Sequence, residues 1–210
     1  MHTTIKNLLD IESKINNKAK IIAVSKTFPI DKILPLIEHG HTDFGENKVQ
    51  EATEKWKEIK KINSQIKLHM IGKLQTNKVK FAVQIFDYIH SVDSEKLAKK
   101  IADESKKLNK KIKIFIQVNI GDEEQKSGIN KNELDQLVFY SKEIGLNVIG
   151  LMCIPPANID TKGYFEEMNK LNKALGFTEL SMGMSSDFDI AVKHSSTYVR
   201  VGSSIFGQRF

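Results

Sequence analysis

Two kinds of segment alternate along the whole chain and restrict the fold more than any other feature. Short apolar runs rich in β-branched residues predict strands buried on both faces, and segments with apolar residues every three or four positions predict amphipathic helices. The predicted strands are 21–26, 42–47, 66–72, 88–92, 112–120, 147–153, 179–184 and 198–202. The helices expected between them run over about 31–38, 49–59, 75–83, 94–102, 134–138 and 165–175. Such alternation requires a parallel sheet with crossover helices.

About eight such units in 210 residues predict an α/β fold, a single (β/α)8 TIM barrel with short loops. A doubly wound open sheet is the alternative. A further helix is expected over residues 4–17, ahead of the first strand. Because no full eighth helix follows the last strand, we expect this N-terminal helix to help close the helical ring. The whole chain, 1–210, is expected to form one domain.

Composition points to a soluble cytoplasmic protein. Hydrophobic residues make up 40% and charged residues 28% of the chain. No apolar run reaches the ~18 residues that a membrane helix needs, and the N-terminus lacks the apolar core of a signal peptide. The single cysteine, Cys153, excludes an internal disulfide and fits a reducing cytosol.

The net charge of +6 does not indicate a nucleic-acid-binding protein. Arg200 and Arg209 are the only arginines, and the lysines are scattered among acidic residues on predicted helix surfaces. There is no basic block interleaved with aromatic residues. We therefore expect solvated helix surfaces and no nucleic-acid partner.

Lys26 ends the first predicted strand, where an ammonium group would be partly desolvated. Desolvation lowers the pKa of a lysine and frees its amine for Schiff-base chemistry. The alternative is that Lys26 only leaves the strand and extends to water. This stretch alone favours the second interpretation, because lysines that extend to water are common.

Other polar side chains are expected at the same face of a barrel, where the carboxyl ends of the strands form the active side. The set comprises Lys26, Glu46, Asn47, His69, Asn119, Met152, Ser185, Ser186 and Arg200. Asn47 could instead cap the following helix, and His69 could be a core histidine with satisfied hydrogen bonds. The shared location makes the set a candidate site.

The loops after the last two strands predict a phosphate site. Barrel enzymes often bind phosphate there through backbone N–H groups. Gly202 would let the backbone approach an anion, and the Ser185 and Ser203 hydroxyls would add donors. A plain serine-rich turn is the alternative.

A phosphate site opposite a strand-one lysine suggests pyridoxal 5′-phosphate (PLP), which carries both an aldehyde and a phosphate. Arg200 points inward if the last strand alternates regularly, and its guanidinium could reach the pyridine nitrogen. A permanent positive charge there would keep that nitrogen unprotonated and make the ring a weak electron sink.

The chain resembles the YggS/PROSC family of pyridoxal phosphate homeostasis proteins, which share the barrel of the alanine racemase N-terminal domain. The resemblance extends from about Ala23 to Arg209. Its motifs are Ala23-Val24-Ser25-Lys26-Thr27, Phe44-Gly45-Glu46-Asn47 with Gln50-Glu51, His69 with Ile71-Gly72, Leu74-Gln75 and Asn77-Lys78, Ser91-Val92-Asp93, Lys126-Ser127-Gly128, Gly150-Leu151-Met152, Leu180-Ser181-Met182-Gly183-Met184-Ser185 with Asp187, and Arg200-Val201-Gly202 with Ile205-Phe206-Gly207 and Arg209.

The resemblance implies a set of PLP contacts. Lys26 would be the Schiff-base lysine, and Arg200 would lie near the ring nitrogen. Asn47 and Met152 would line the ring, and the phosphate would be held by Ser185, Gly202 and Ser203. Family members lack an established catalytic activity, are mostly monomeric, and are thought to buffer PLP or deliver it to apo-enzymes. Whether Lys126 forms a second, transient PLP site stays open.

Two departures from the family pattern stand near the last strand. Ser195 replaces a glycine that usually precedes Ser-Thr, which would cost about 1 kcal/mol if the turn needs a positive φ. Ser203 stands where threonine is common, so the hydroxyl is kept. The sequence also stops at Phe210, without the basic tail of some relatives. None of these changes removes an expected cofactor contact.

Two enzymatic alternatives are disfavoured. An amino-acid racemase of this fold needs a second base, which alanine racemases take from a tyrosine on an added domain. The four tyrosines here, Tyr88, Tyr140, Tyr164 and Tyr198, all fall in the predicted barrel, although a weak racemase-like activity stays open. A Schiff-base aldolase without PLP would have no use for an arginine at a ring nitrogen.

Overall fold

Eight parallel strands close into one barrel in chain order in the computed structural model, which describes residues 1–123, 125, 127–157 and 159–208. The strands are β1 Lys20–Val24, β2 Asp43–Glu46, β3 Lys67–Met70, β4 Tyr88–Val92, β5 Lys113–Val118, β6 Asn147–Cys153, β7 Glu179–Met184 and β8 Tyr198–Val201. Ala23 of β1 is in register with both Phe44 of β2 and Val201 of β8. This closure confirms the (β/α)8 barrel and excludes the open sheet.

Helices connect the strands and surround the barrel. They are α1 Thr3–Ile15, α2 Ile30–Glu38, α3 Val49–Ile62, α4 Val79–Ile85, α5 Glu95–Lys107, α6 Leu134–Glu143, α7 Lys162–Ala174, α8 Phe188–Lys193 and α9 Ser203–Phe206. Helices α8 and α9 were not expected, because six and four residues are too few to show a helical period. Ser94 caps α5 by accepting from the Leu97 amide.

The N-terminal helix α1 completes the helical ring as expected. It packs against α2, α8 and α9. Its buried face presents Leu8, Ile11 and Ile15 to the core, and Asn7 donates a hydrogen bond of 2.9 Å to the Ile205 carbonyl in α9. The last helix is only one turn long, so α1 covers the barrel wall that a full eighth helix would cover.

Apolar side chains are buried on both sides of the barrel wall. The larger core lies between strands and helices and includes Trp56 of α3 against Phe44 of β2, with ring centroids 4.7 Å apart. A smaller core inside the barrel contains Ile22, Tyr88, Phe115, Met152 and Tyr198. A polar layer shares this interior and is described below.

None of the helices in the described residues is long and apolar enough to cross a lipid bilayer. The longest, α3, has 14 residues and carries lysine and glutamate throughout its sequence.

Candidate functional site

Lys26 stands at the carboxyl end of the barrel, two residues beyond the last residue of β1. The predicted strand over 21–26 therefore ends two residues too late. Its pairing with β2 ends at Val24, and the Phe28 amide closes a turn onto the Ser25 carbonyl at 3.1 Å. Lys26 is half-buried within this turn, and Thr27 beside it adopts a left-handed φ of +67°. Such a φ is uncommon for a β-branched residue, and such residues concentrate at functional sites.

A buried ionic cluster fixes the turn from below. Glu46 is fully buried, and its Oε1 accepts from the Ser25 hydroxyl at 2.7 Å and from the Lys55 ammonium at 3.0 Å. Lys55 also donates to the Ser25 carbonyl at 2.8 Å and to Glu51 at 3.0 Å. The Lys55 ammonium therefore ties the end of β1 to the end of β2.

Glu51 holds the strained residue of the same turn by accepting from the Thr27 backbone amide. Burial alone would raise the pKa of Glu51, but the hydrogen bonds from Thr27 and Lys55 keep that pKa below its usual range. Glu51 is therefore ionised at neutral pH and stabilises the left-handed backbone next to Lys26.

Asn47 lies at the end of the adjacent strand β2, and its buried Oδ1 has no hydrogen-bond partner. It does not cap α3, whose N-cap is Lys48 without a side-chain hydrogen bond, so the capping interpretation is wrong. A Cβ on Gly72 would lie 2.5 Å from the Asn47 carbonyl oxygen and 2.8 Å from its Cα. The absence of a side chain at Gly72 is therefore what allows Asn47 its position.

Arg200, on β8, points into the barrel as expected. It is 4% exposed and donates to the Ser181 hydroxyl at 2.7 Å and to the Cys153 carbonyl at 2.8 Å. Among the described residues, no carboxylate lies within 4 Å of its guanidinium. Burial lowers the pKa of Arg200. A buried cation with only neutral acceptors is costly, so this group is suited to a ligand with an acceptor atom.

The loops after β7 and β8 meet at the same face. The Gly202 amide donates to the Ser185 hydroxyl at 3.4 Å, and Ser203 begins the one-turn helix α9. Asp187 shapes the first loop by accepting from the Met184 amide at 2.7 Å. Gly202 has a φ of −116°, so it is not required by a left-handed backbone.

The remaining predicted residues fall in different places. Met152 is fully buried inside the barrel with Tyr88, Phe115 and Tyr198. The side-chain amide of Asn119 is used within the loop after β5, where it donates to the Glu123 carbonyl at 2.9 Å. Ser186 is exposed, and His69 lies fully buried in the barrel interior, where the core alternative for this residue is correct. Lys126 and Arg209 lie outside the described residues.

The barrel therefore brings most of the predicted set onto a continuous arc of its wall. Lys26, Asn47, Ser185, Gly202 and Ser203 follow the ends of β1, β2, β7 and β8, which are neighbours in the closed sheet. Arg200 and Met152 lie on β8 and β6 within the same arc. Sequence reasoning missed Ser181 and His90, whose signal is a polar residue within an otherwise buried strand.

The tyrosines inside the barrel lie at the amino ends of their strands, away from the carboxyl ends where the site residues gather. The Tyr198 hydroxyl accepts from Lys20 at 3.3 Å and the Tyr88 hydroxyl accepts from Lys113 at 3.2 Å, both at the amino ends of strands. The Cys153 thiol is also unsuited to chemistry, since burial raises its pKa to about 12. No cluster of three or more metal-ligating side chains occurs in the part of the chain that the structure describes.

Comparison with known proteins gives the family. Residues 3–209 match the family described as alanine racemase, N-terminal domain. The pyridoxal phosphate homeostasis protein of Aquifex aeolicus is 37% identical over 203 residues, which cover 92% of this chain and 88% of the relative. This chain belongs to the alanine racemase N-terminal domain family. The resemblance stated from the sequence motifs is thereby confirmed.

Solved structures agree at the level of the fold. PipY of Synechococcus elongatus PCC7942, in a structure with PLP bound, superposes with a TM-score of 0.87 at 34% identity, covering 97% of this chain and 100% of PipY. An alanine racemase of Clostridium difficile 630 has a TM-score of 0.77 at 16% identity, covering 99% of this chain but 57% of the racemase. The second likeness concerns the barrel alone, which racemases share.

Proposed function

We propose that this protein binds PLP covalently on Lys26 and serves intracellular PLP homeostasis without catalytic turnover. The observation that carries the proposal is the buried Arg200 guanidinium, which has no carboxylate partner among the described residues and lies on the same arc as a half-buried lysine. Two features of the relatives support it: the name of the Aquifex protein and the PLP bound to PipY.

The residues present fit the cofactor. When bound, PLP supplies an aldehyde that condenses with a lysine amine, together with a phosphate and a pyridine ring. We assign Lys26 to the aldehyde and Arg200 to the ring nitrogen. Asn47, with its unpaired amide oxygen, and Met152 line the ring. Ser185, Gly202 and Ser203 hold the phosphate through hydroxyl and backbone donors.

The same residues favour binding of PLP over catalysis with it. A guanidinium at the ring nitrogen keeps that nitrogen unprotonated, which weakens the ring as an electron sink. Tyr88 and Tyr198 lie at the amino ends of their strands, and Tyr140 and Tyr164 lie on the outer helices α6 and α7. We propose that the protein stores PLP and supplies it to apo-enzymes. We further propose that residues 1–210 form one domain and that the protein is a cytoplasmic monomer.

The absorption spectrum of the purified protein tests the proposal. We expect PLP to be taken up with a visible absorption band, and borohydride to attach it irreversibly to Lys26, as located by peptide mass spectrometry. Lys26→Ala should abolish the band, while Lys73→Ala, an exposed lysine after β3, should keep it. A wild-type protein that takes up no added PLP would refute the proposal.

Racemase activity is the second candidate, because the barrel is shared with alanine racemase. The loaded protein should be incubated with L-alanine and other amino acids in deuterated water, and α-proton exchange and optical rotation followed. We expect exchange far slower than enzymatic rates. Turnover of roughly 1 per second or more would contradict the homeostasis function.

A further inference from the structure

An unbroken chain of hydrogen bonds crosses the interior of the barrel and ends at Arg200. Asp43 Oδ1 lies 3.0 Å from His69 Nε2, and His69 Nδ1 lies 2.9 Å from His90 Nε2. His90 Nδ1 lies 2.9 Å from the Ser181 hydroxyl, which accepts from Arg200 at 2.7 Å. His69, His90 and Ser181 are fully buried, and the chain joins β2, β3, β4, β7 and β8.

For two neutral imidazoles, the charged ends of this chain fix the direction of every bond in it. A guanidinium can only donate, so Ser181 accepts from Arg200 and turns its own proton toward His90 Nδ1. An ionised carboxylate can only accept, so His69 donates from Nε2 to Asp43. His90 Nε2 then donates to His69 Nδ1. All donors point from Arg200 toward Asp43, and each imidazole is neutral with its proton on Nε2.

The electrostatics of the interior agree with this arrangement. Burial lowers the pKa of His69. Burial, together with the nearby Arg200 charge, lowers the pKa of His90 well below its usual range. Burial alone would raise the pKa of Asp43, but its hydrogen bond with His69 keeps that pKa below the usual range. The chain thus has one negative end, one positive end and neutral links.

Aromatic stacking holds the two imidazoles in place. The His69 ring stacks on Tyr88 with centroids 4.2 Å apart and planes 13° apart. The His90 ring stacks on Phe115 with centroids 4.3 Å apart and planes 25° apart. Neither ring can rotate without disturbing the barrel core, so the Ser181 hydroxyl is presented to Arg200 in one orientation.

We propose that Ser181, His90, His69 and Asp43 are positioning residues that hold the Arg200 guanidinium for its ligand. Asp43 is the first residue of β2, at the amino end of the barrel, which we call the amino pole. The negative charge that balances the ligand-binding arginine therefore lies at the opposite end from the carboxyl pole, the mouth of the barrel where the site residues gather. The part of this inference that concerns PLP depends on the proposed function. The part that concerns how Arg200 is held does not.

Nitrogen-15 NMR of the protein without cofactor tests how Arg200 is held. We expect His69 and His90 to be neutral Nε2–H tautomers at pH 7, and we expect separate Nη signals for Arg200 because its hydrogen bonds slow rotation. Arg200 and Arg209 are the only arginines, so assignment is simple. Ser181→Ala should merge the Arg200 signals. An Nδ1–H tautomer at either histidine, or unchanged Arg200 signals in Ser181→Ala, would overturn the inference.

PLP titration of the same variants tests the consequence for the ligand. We expect Ser181→Ala to weaken PLP binding at least tenfold and to shift the absorption maximum of the bound cofactor, and Ser181→Thr to restore both. Asp43→Asn keeps an acceptor for His69 but removes the charge, and should weaken binding several-fold.

Ser91→Ala is the matched control for the titration, because Ser91 is a buried serine whose hydroxyl has no hydrogen-bond partner. It should bind PLP as the wild type does. Equal loss of binding in Ser91→Ala and Ser181→Ala would overturn the positioning role. A wild-type protein that binds no PLP would refute the proposed function, whereas the NMR spectra would still decide how Arg200 is held.

Discussion

The two poles of the barrel treat their polar groups in opposite ways. At the amino pole, Lys20 and Lys113 donate to the hydroxyls of Tyr198 and Tyr88, and Asp43 accepts from His69. At the carboxyl pole, Asn47 keeps an unpaired buried oxygen, and Thr27 adopts a left-handed backbone. These amino-pole groups satisfy one another's hydrogen bonds, whereas Asn47 at the carboxyl pole leaves capacity for a ligand. This is the division of stability and function expected for the barrel.

Two lysines of α3 give the sharpest test of this comparison. Lys55 and Lys60 each bridge a carboxylate and a backbone carbonyl, Lys55 near the mouth and Lys60 near the amino pole. Lys55→Met would leave the fully buried Glu46 without its cation, and we expect a loss of about 3 kcal/mol in the free energy of unfolding. Urea denaturation monitored by circular dichroism measures this loss.

Lys60→Met is the matched control for that substitution. The side chains of Lys60 and Asp87 are 19% and 25% exposed, so we expect a smaller loss of about 1 kcal/mol. Lys55→Met should also weaken PLP binding, because the Lys55 ammonium anchors the Ser25 carbonyl beside Lys26. Equal losses of stability for the two variants would contradict the asymmetry between the poles.

Acid should weaken the fold through the buried histidines that connect the poles. The pKa values of His69 and His90 are lowered in the folded state, so below about pH 6.5 the unfolded chain binds protons that the folded chain does not. Stability therefore falls as the pH decreases, by up to ~1.4 kcal/mol per pH unit for each histidine. Between pH 6 and pH 5 we expect His90, whose pKa is lowered well below its usual range, to contribute about 1 kcal/mol of this loss, with a further part from His69.

His90→Gln separates this contribution from other titrating groups. His41, whose pKa is lowered by burial, adds a loss of the same sign, and the lowered pKa of Asp43 adds a further loss below about pH 4. The substitution should reduce the slope of stability against pH between pH 6 and pH 5 by about one proton. An unchanged slope would mean that His90 is protonated in the folded protein.

Much of the fold was predictable because it is determined by the alternation of strand-like and helix-like segments, which extends along the whole chain. The bounds of β4, β6 and β7 match the sequence prediction, since each strand is a β-rich run set off by turn or helix-capping residues. The end of β1 was wrong by two residues because Ser25 and Lys26 follow an apolar run without a breaker before Pro29. Helices α8 and α9 are too short for their sequence to show a period.

Only one aspect of the candidate site was predictable from the sequence, namely which residues the strand order places at the same face of the barrel. The ends of β1, β2, β7 and β8 meet there in any barrel of this type, which brings Lys26, Asn47 and Gly202 onto one arc. Whether Asn47 caps a helix, or His69 reaches the mouth, depends on side-chain geometry that no spacing records. The interior chain was missed for the same reason, because its successive members are 19 to 91 positions apart in the sequence.

Gly72 offers a way to disturb the mouth alone. Gly72→Ala would place a Cβ 2.5 Å from the Asn47 carbonyl oxygen, and relief of this clash must move Asn47. We expect a loss of about 2 kcal/mol in stability and a weaker affinity for PLP, measured by spectroscopic titration. Gly163→Ala is the control, because a Cβ there meets nothing within 4 Å and should leave both quantities nearly unchanged. Normal PLP affinity in Gly72→Ala would contradict the assignment of Asn47 to the PLP site.

The smallest effect concerns two residues with a left-handed backbone, one at each pole. Ser195, with φ +71° before β8, stands where relatives were expected to have glycine, and Thr27, with φ +67°, stands beside Lys26. Ser195→Gly should relieve strain and raise stability by about 1 kcal/mol, which corresponds to roughly 2–4 °C in Tm for a chain of this size. PLP affinity should stay unchanged, since the turn lies at the amino pole. Thr27→Gly should raise stability similarly but weaken PLP binding, because it frees the turn that holds Lys26. Calorimetry paired with PLP titration separates the two, and a Thr27→Gly variant that binds PLP normally would show that strain at the mouth has no part in the site.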